Sequence, residues 1–112
     1  MAKGKPVLSE PTYFILAALL DGPLHGHGII KRVVDLSEGR VRLAVGTLYG
    51  ALDRLAANNV ITVDREEIVD GRQRRYFRIT DDGRHMVIEE AGRMRQAASV
   101  VTGRLEAGGA FA

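Results

Sequence analysis

A chain of 112 residues, 46% hydrophobic and 27% charged, is long enough for one compact core and too short for a second domain of ordinary size; fibrous and disordered classes are excluded. Lys and Arg number 16 against 14 Asp and Glu, and this balance of +2 is too small to argue for a polyanionic partner by itself. With no Cys, a disulfide framework, a thiolate metal site and a cysteine nucleophile are excluded as well.

Residues 1–8 carry Gly4 and Pro6 and no periodic apolar spacing, and are expected to form a mobile tail. Lys3 and Lys5 are followed by Pro6 and Glu10, and no apolar run reaches signal-peptide or membrane-span length without a charge or a Gly-Pro break. A cytoplasmic protein without membrane contact is expected. The first helix starts at Ser9, a good N-cap, with Pro11 tolerated in its first turn. Tyr13, Leu16, Leu19 and Leu20 give it an apolar face, widened by Phe14 and Ile15, before Asp21-Gly22-Pro23 stops it.

A second helix is predicted from His25, with Ile29, Val33 and Leu36 at i, i+4 and i+7 and Lys31 and Arg32 turned outward; Ser37, Glu38 and Gly39 end it. A third helix runs from Val45 to Asn58 on the stripe Leu48, Leu52 and Leu55. That narrow stripe leaves Thr47, Tyr49, Gly50, Asp53 and Arg54 free to meet a partner. Asn58-Asn59 is a plausible left-handed stop, after which the period changes to that of strands. Val60 to Ile68 and Gln73 to Ile79 are predicted strands, joined through Asp70-Gly71, a strong hairpin signal. Alternation puts Arg75, Phe77 and Ile79 on one face and Arg74, Tyr76 and Arg78 on the other. Residues 71–80 hold Arg72, Arg74, Arg75 and Arg78 with no acid among them, a local basic patch on a near-neutral chain.

Thr80 caps a last helix whose first turn carries Asp81 and Asp82, favourable against the helix dipole, and which reaches Glu106. Val87, Ala91, Met94, Ala98, Val101 and Leu105 are spaced as a heptad seam, which calls for a partner helix. The seam either pairs two copies of the chain or covers the first helix of its own. Gly92 and Gly103 weaken the helix, and Gly108-Gly109 opens a loose tail over 107–112.

The order helix, helix, turn, helix, hairpin is that of a winged helix-turn-helix, mainly α with a small β-hairpin, here extended by a long C-terminal helix. The domain plan is a DNA-binding unit over 9–80 and a dimerisation helix over 81–106. The third helix enters the major groove with Thr47, Tyr49, Gly50 and Arg54, while the Arg-rich wing neutralises phosphates. A solvated helix face and a solubilising hairpin, paired with Asp64, Glu66 and Glu67, are the competing structural readings. His25 and His27 form an H-x-H pair that suits either a loop at a helix entry or, with a partner's carboxylate, a metal sensor. No Ser-His-Asp grouping, carboxylate pair, phosphate-cradling Gly loop or nucleophile motif is present, so neither an enzyme nor a cofactor protein is expected.

Leu43-Ala44-Val45-Gly46-Thr47-Leu48-Tyr49, followed by Leu52 and Arg54-Leu55, resembles the recognition-helix signature of PadR-type transcriptional regulators. Asp70-Gly71-Arg72-Gln73-Arg74-Arg75-Tyr76-Phe77-Arg78-Ile79-Thr80, followed by Gly83, is similar to that family's wing pattern, and His25-Gly26-His27-Gly28-Ile29-Ile30 to its entry into the second helix. The resemblance covers about residues 9 to 105. It implies a homodimeric repressor of the short subfamily, bound to palindromic operator DNA and released by an effector or a stress signal, with the C-terminal helix as the dimer interface; a small molecule or a metal is the candidate effector. The chain departs from the family at Ala44 and Val45, where many relatives have Ser and Pro, and at Asn59, where Gly is common. It also has no Trp, the residue on which the short subfamily's drug sensors stack planar ligands. A winged-helix unit turned to protein association is the alternative from another class.

Overall fold

The computed structural model describes residues 8–108. The expected tails otherwise lie outside the described residues, except at 107–108, where the last helix continues one residue further than expected, to Ala107, and Gly108 caps it. Leu8, assigned to the N-terminal tail, instead packs against the core, because the residue before an N-cap is placed to fold back onto its helix.

The elements run α1 (Glu10–Leu19), β1 (Leu24–His25), α2 (Gly26–Leu36), α3 (Val45–Ala57), β2 (Ile61–Val69), β3 (Arg72–Ile79) and α4 (Asp81–Ala107). Local chemistry accounts for most of their ends. The Ser9 side chain accepts from the Thr12 amide, and that of Thr80 from the Gly83 amide. Asn59 takes φ 60°, and the amides of Asn59 and Val60 return to the carbonyls of Ala56 and Leu55, a Schellman closure of α3 built without Gly. Glu38 at φ 54° closes α2 in the same manner, with Glu38 and Gly39 donating to Asp35 and Val34. Asp70 (φ 52°) and Gly71 (φ 76°) make a two-residue turn with both residues left-handed, the form that suits the twist of a hairpin. The strands therefore continue one residue closer to the turn than predicted.

The sheet has three strands, not two, in the order β1-β3-β2, all antiparallel. Leu24 pairs with Phe77 and His25 with Tyr76, so β1 exists only because β3 offers it a free edge. On the other side Ile61 faces Ile79 and Val69 faces Arg72, with a bulge between Val63 and Arg65. The core joins Ile15, Leu16 and Leu19 of α1, Ile29 and Val33 of α2, Leu48 and Leu52 of α3, and Ile61, Phe77 and Ile79 of the sheet. Each of the helical members and Ile61 is at most 1% exposed, which ties all three helices and the base of the wing into one unit. Buried Ser37 holds the link from α2 to α3, its hydroxyl accepting from the Val41 amide at 2.9 Å. Leu36, predicted on the apolar face of α2, is exposed, because that face already ends at Val33.

The N-terminal turns of α4 pack against α1, and Val87, at 3% exposure, belongs to the core of its own chain. This corrects the expectation that placed all six heptad residues in one seam between copies. Ala91 is half-buried, whereas Met94, Ala98, Val101 and Leu105 are exposed. Among the described residues no helix is long and apolar enough to cross a membrane.

Candidate nucleic-acid interface

Leu48, Ala51 and Leu52 anchor α3, so the rest of its circumference is turned away from the core. At 3.6 residues per turn, Thr47, Gly50 and Arg54 fall on one side of the outward face and Tyr49 on its opposite edge. Thr47, Tyr49 and Arg54 are exposed and Gly50 half-exposed. A Cβ on Gly50 would lie 3.7 Å from an Arg54 guanidinium nitrogen, so the Arg54 side chain folds back along the helix. Gly46, one turn before Gly50, has open space around it, so two positions of this face carry no side chain, and exposed Asp53 follows one turn after Gly50. Ala44 at the N-cap makes no side-chain cap, as expected from the missing Ser.

The wing arginines fall into two groups. Arg75 Nε sits 3.1 Å from Glu66 and Arg78 Nε 3.7 Å from Asp64, so both are partly neutralised across the hairpin. Arg72 and Arg74 have no carboxylate partner among the described residues. The side chain of Arg65 stacks on the Tyr76 ring at 3.9 Å and also approaches Glu67, while the Tyr76 hydroxyl donates to Glu67 at 2.8 Å. The acids of β2 thus serve Arg65, Arg75, Arg78 and Tyr76, and leave Arg72 and Arg74 open.

Between α2, α3 and the wing lies a cleft of about 600 Å³. The α2 entry lines it with His25 and His27, α3 with Tyr49, and the wing with Arg72, Arg74, Arg75 and Gln73. Tyr49 reaches across to α2, where Gly26 is buried beneath its hydroxyl. This contact answers the question left by the exposed-face reading of Tyr49: the ring is seated against α2 while remaining 42% exposed. The sequence shows Gly26 only as part of the entry to the second helix, because nothing local links it to a tyrosine 23 positions later. His25 is held by its pairing with Tyr76, and the two rings lie 5.3 Å apart. Burial, then the charges of Arg74 and His27, hold the His25 imidazole below its ordinary pKa, with Glu67 acting in the opposite sense. The rings of His25 and His27 are 6.5 Å apart, and no group of three or more His, Cys, Asp or Glu able to hold a metal ion occurs among the described residues.

The comparisons with known proteins agree with this architecture. A family model described as the transcriptional regulator PadR-like family matches residues 15–89. The chain is 35% identical over 89 residues to the transcriptional regulator Rv3488 of Mycobacterium tuberculosis, covering 80% of this chain and 79% of that protein. It is 40% identical over 93 residues to a 37.1 kDa protein of transposon TN4556 from Streptomyces fradiae, covering 83% of this chain but only 25% of that longer one. Among solved structures, a PadR family transcription regulator from Clostridium difficile superposes with a TM-score of 0.71 at 23% identity, covering 87% of this chain and 99% of that one. Bacillus subtilis PadR, solved in complex with operator DNA, gives a TM-score of 0.62 at 23% identity over 70% of this chain and 44% of its own. At these identities the structural likenesses concern the fold.

Proposed function

The chain belongs to the PadR-like family of transcriptional regulators, and from that membership we propose that it binds operator DNA as a homodimer and represses transcription until an effector releases it. One observation carries the DNA reading: Tyr49, at one edge of the outward face of α3, shares a cleft with a wing whose Arg72 and Arg74 have no carboxylate partner among the described residues. An α3 seated in the major groove would present Thr47, Gly50 and Arg54 to base edges, with Gly46 and Gly50 letting the backbone approach closely. The open arginines, aided by Arg75 and Arg78, would meet phosphates and release counterions. Support for operator DNA as the partner also comes from the relative solved on it, Bacillus subtilis PadR.

For the homodimer, the supporting observation is the run Met94, Ala98, Val101 and Leu105, an exposed apolar stripe at heptad spacing on the half of α4 that leaves its own core. A two-fold protein would read a palindrome with one α3 per half-site. A titration of the chain against the promoter region of its own gene, repeated across a salt series, tests the reading. A shifted complex that weakens as salt rises is expected; no binding at low salt, or affinity indifferent to salt, would overturn it.

A further inference from the structure

We infer that the cleft between the α2 entry and the wing is the seat of a single DNA phosphodiester, and that filling it places one proton on His25, so that DNA binding tightens as pH falls. The inference rests on the DNA-binding reading above and assigns to it a site and a regulation.

The location argues for the DNA backbone as occupant. Tyr49 of α3 forms one wall, and Arg72 and Arg74 of the wing form another, so a duplex touching both elements passes the mouth of the cleft. Charge argues for an anion. Glu66 is engaged by Arg75 and Gln73, and Glu67 by Tyr76 and Arg65, so these two acids of β2 are already committed. Arg72 and Arg74 remain without a carboxylate among the described residues, beside two imidazoles. Asp70, in the wing turn, is the remaining acid on the lining. A phosphodiester has one negative charge and two unesterified oxygens, which suits a guanidinium and an imidazolium donating to it together.

Proton uptake follows from what surrounds His25. His27 approaches it from α2, Tyr49 shares its cleft from α3, Glu67 acts from β2, and Arg74 and Tyr76 from β3. In the free protein, lost hydration, Arg74 and His27 together outweigh Glu67 and hold the imidazole below its ordinary pKa. A bound phosphodiester offsets the charge of Arg74 and gives the protonated ring an anionic acceptor in place of the water that burial has taken from it. The protonated form is then favoured in the complex more than in the free protein, and by linkage the complex gains affinity as pH falls across the range where His titrates.

Because a phosphate seat is indifferent to sequence, the test needs no operator. The probe is a labelled mixed-sequence duplex of about two helical turns, titrated by fluorescence anisotropy at low, constant ionic strength from about pH 8 to about pH 6. The unsubstituted chain is expected to bind roughly three- to tenfold more tightly at the acid end, the effect of a pKa raised by up to one unit on binding. His25→Gln, which keeps a polar side chain but takes up no proton, is expected to give a flat profile, and His27→Gln to keep most of the slope. Imidazole titration by NMR is expected to show the His25 midpoint moving up when duplex is added; this readout decides the matter even if His25→Gln does not fold. A flat profile for the unsubstituted chain, an unchanged slope in His25→Gln, or an unmoved midpoint in the complex would each overturn the proton linkage while leaving DNA binding intact. No binding at any pH would instead overturn the DNA reading itself.

Discussion

The Tyr49 hydroxyl lies so close over Gly26 that a Cβ built there would sit 2.4 Å from its oxygen. A residue of the proposed recognition helix is therefore seated by a residue of the helix before it. Since Tyr49 is half-exposed, Gly26→Ala is expected to push the ring outward instead of breaking the core. The cost to folding should stay under about 1 kcal/mol, because Ala gains helix propensity over Gly at that position. DNA affinity should fall roughly five- to tenfold, on the order of 1 kcal/mol, as the ring is displaced from the cleft wall. Thermal melts and duplex titrations of the same variant separate the two effects.

Gly83 makes the opposite case. A Cβ there would lie 2.2 Å from the Val60 carbonyl oxygen and 2.9 Å from the Ile79 side chain. The first obstacle is backbone, so the start of α4 has to shift. Gly83→Ala is expected to destabilise the fold by about 2–3 kcal/mol, the usual range for overpacking, measured by denaturant unfolding. Unfolding at the midpoint of the parent chain would contradict the close approach.

The wing arginines should differ in a way their sequence spacing does not suggest. Arg74 has no carboxylate partner among the described residues, whereas Arg75 already shares its charge with Glu66. Arg74→Ala should weaken binding to any duplex and lower the salt slope by about one. Arg75→Ala should do less, because its guanidinium is already engaged by Glu66 and has less to give a phosphate, while Gln73 keeps its hydrogen bond to Glu66 in the variant. Equal losses from the two variants would show that the ion pair opens on DNA.

Two substitutions on α4 distinguish its halves. Val101 is 61% exposed and Val87 3%. Val101→Glu should leave the fold intact and convert a dimer to monomer in sedimentation velocity, since it places like charges across the proposed seam. Val87→Ala should instead lower stability by about 1–2 kcal/mol, through lost burial and the cavity left behind, with the association state unchanged. A monomeric parent chain at the concentrations used would remove the basis for the first expectation.

Much of this architecture is written in local chemistry. Ser9, Thr80, Asn59 and Asp70-Gly71 each determine a cap, stop or turn through their own side chain or dihedral preference, and all four act where expected. The features with no local signal are those that depend on a distant partner. Leu24-His25 is too short to be recognised as a strand and becomes one only beside Phe77 and Tyr76. The seating of Tyr49 on Gly26 and the division of the wing arginines depend on which groups the fold brings across from other elements. The heptad spacing of α4 was visible, but Val87 and Val101 are both valines at seam positions; only the approach of α1 tells them apart.

Thr80 connects more than a helix cap. Its hydroxyl lies 2.7 Å from the Asn59 carbonyl and 2.9 Å from that of Val60 while it accepts from the Gly83 amide, and the Asn59 side chain reaches Asp82 at 3.3 Å. The end of α3, the foot of the wing and the first turn of α4 therefore meet at one rigid joint. In a two-fold assembly built on α4, the distance between the two reading heads would be set by how the long helices cross, with little slack contributed by linkers. Any compound that altered that crossing angle would move both heads off register together, without touching either DNA-facing surface.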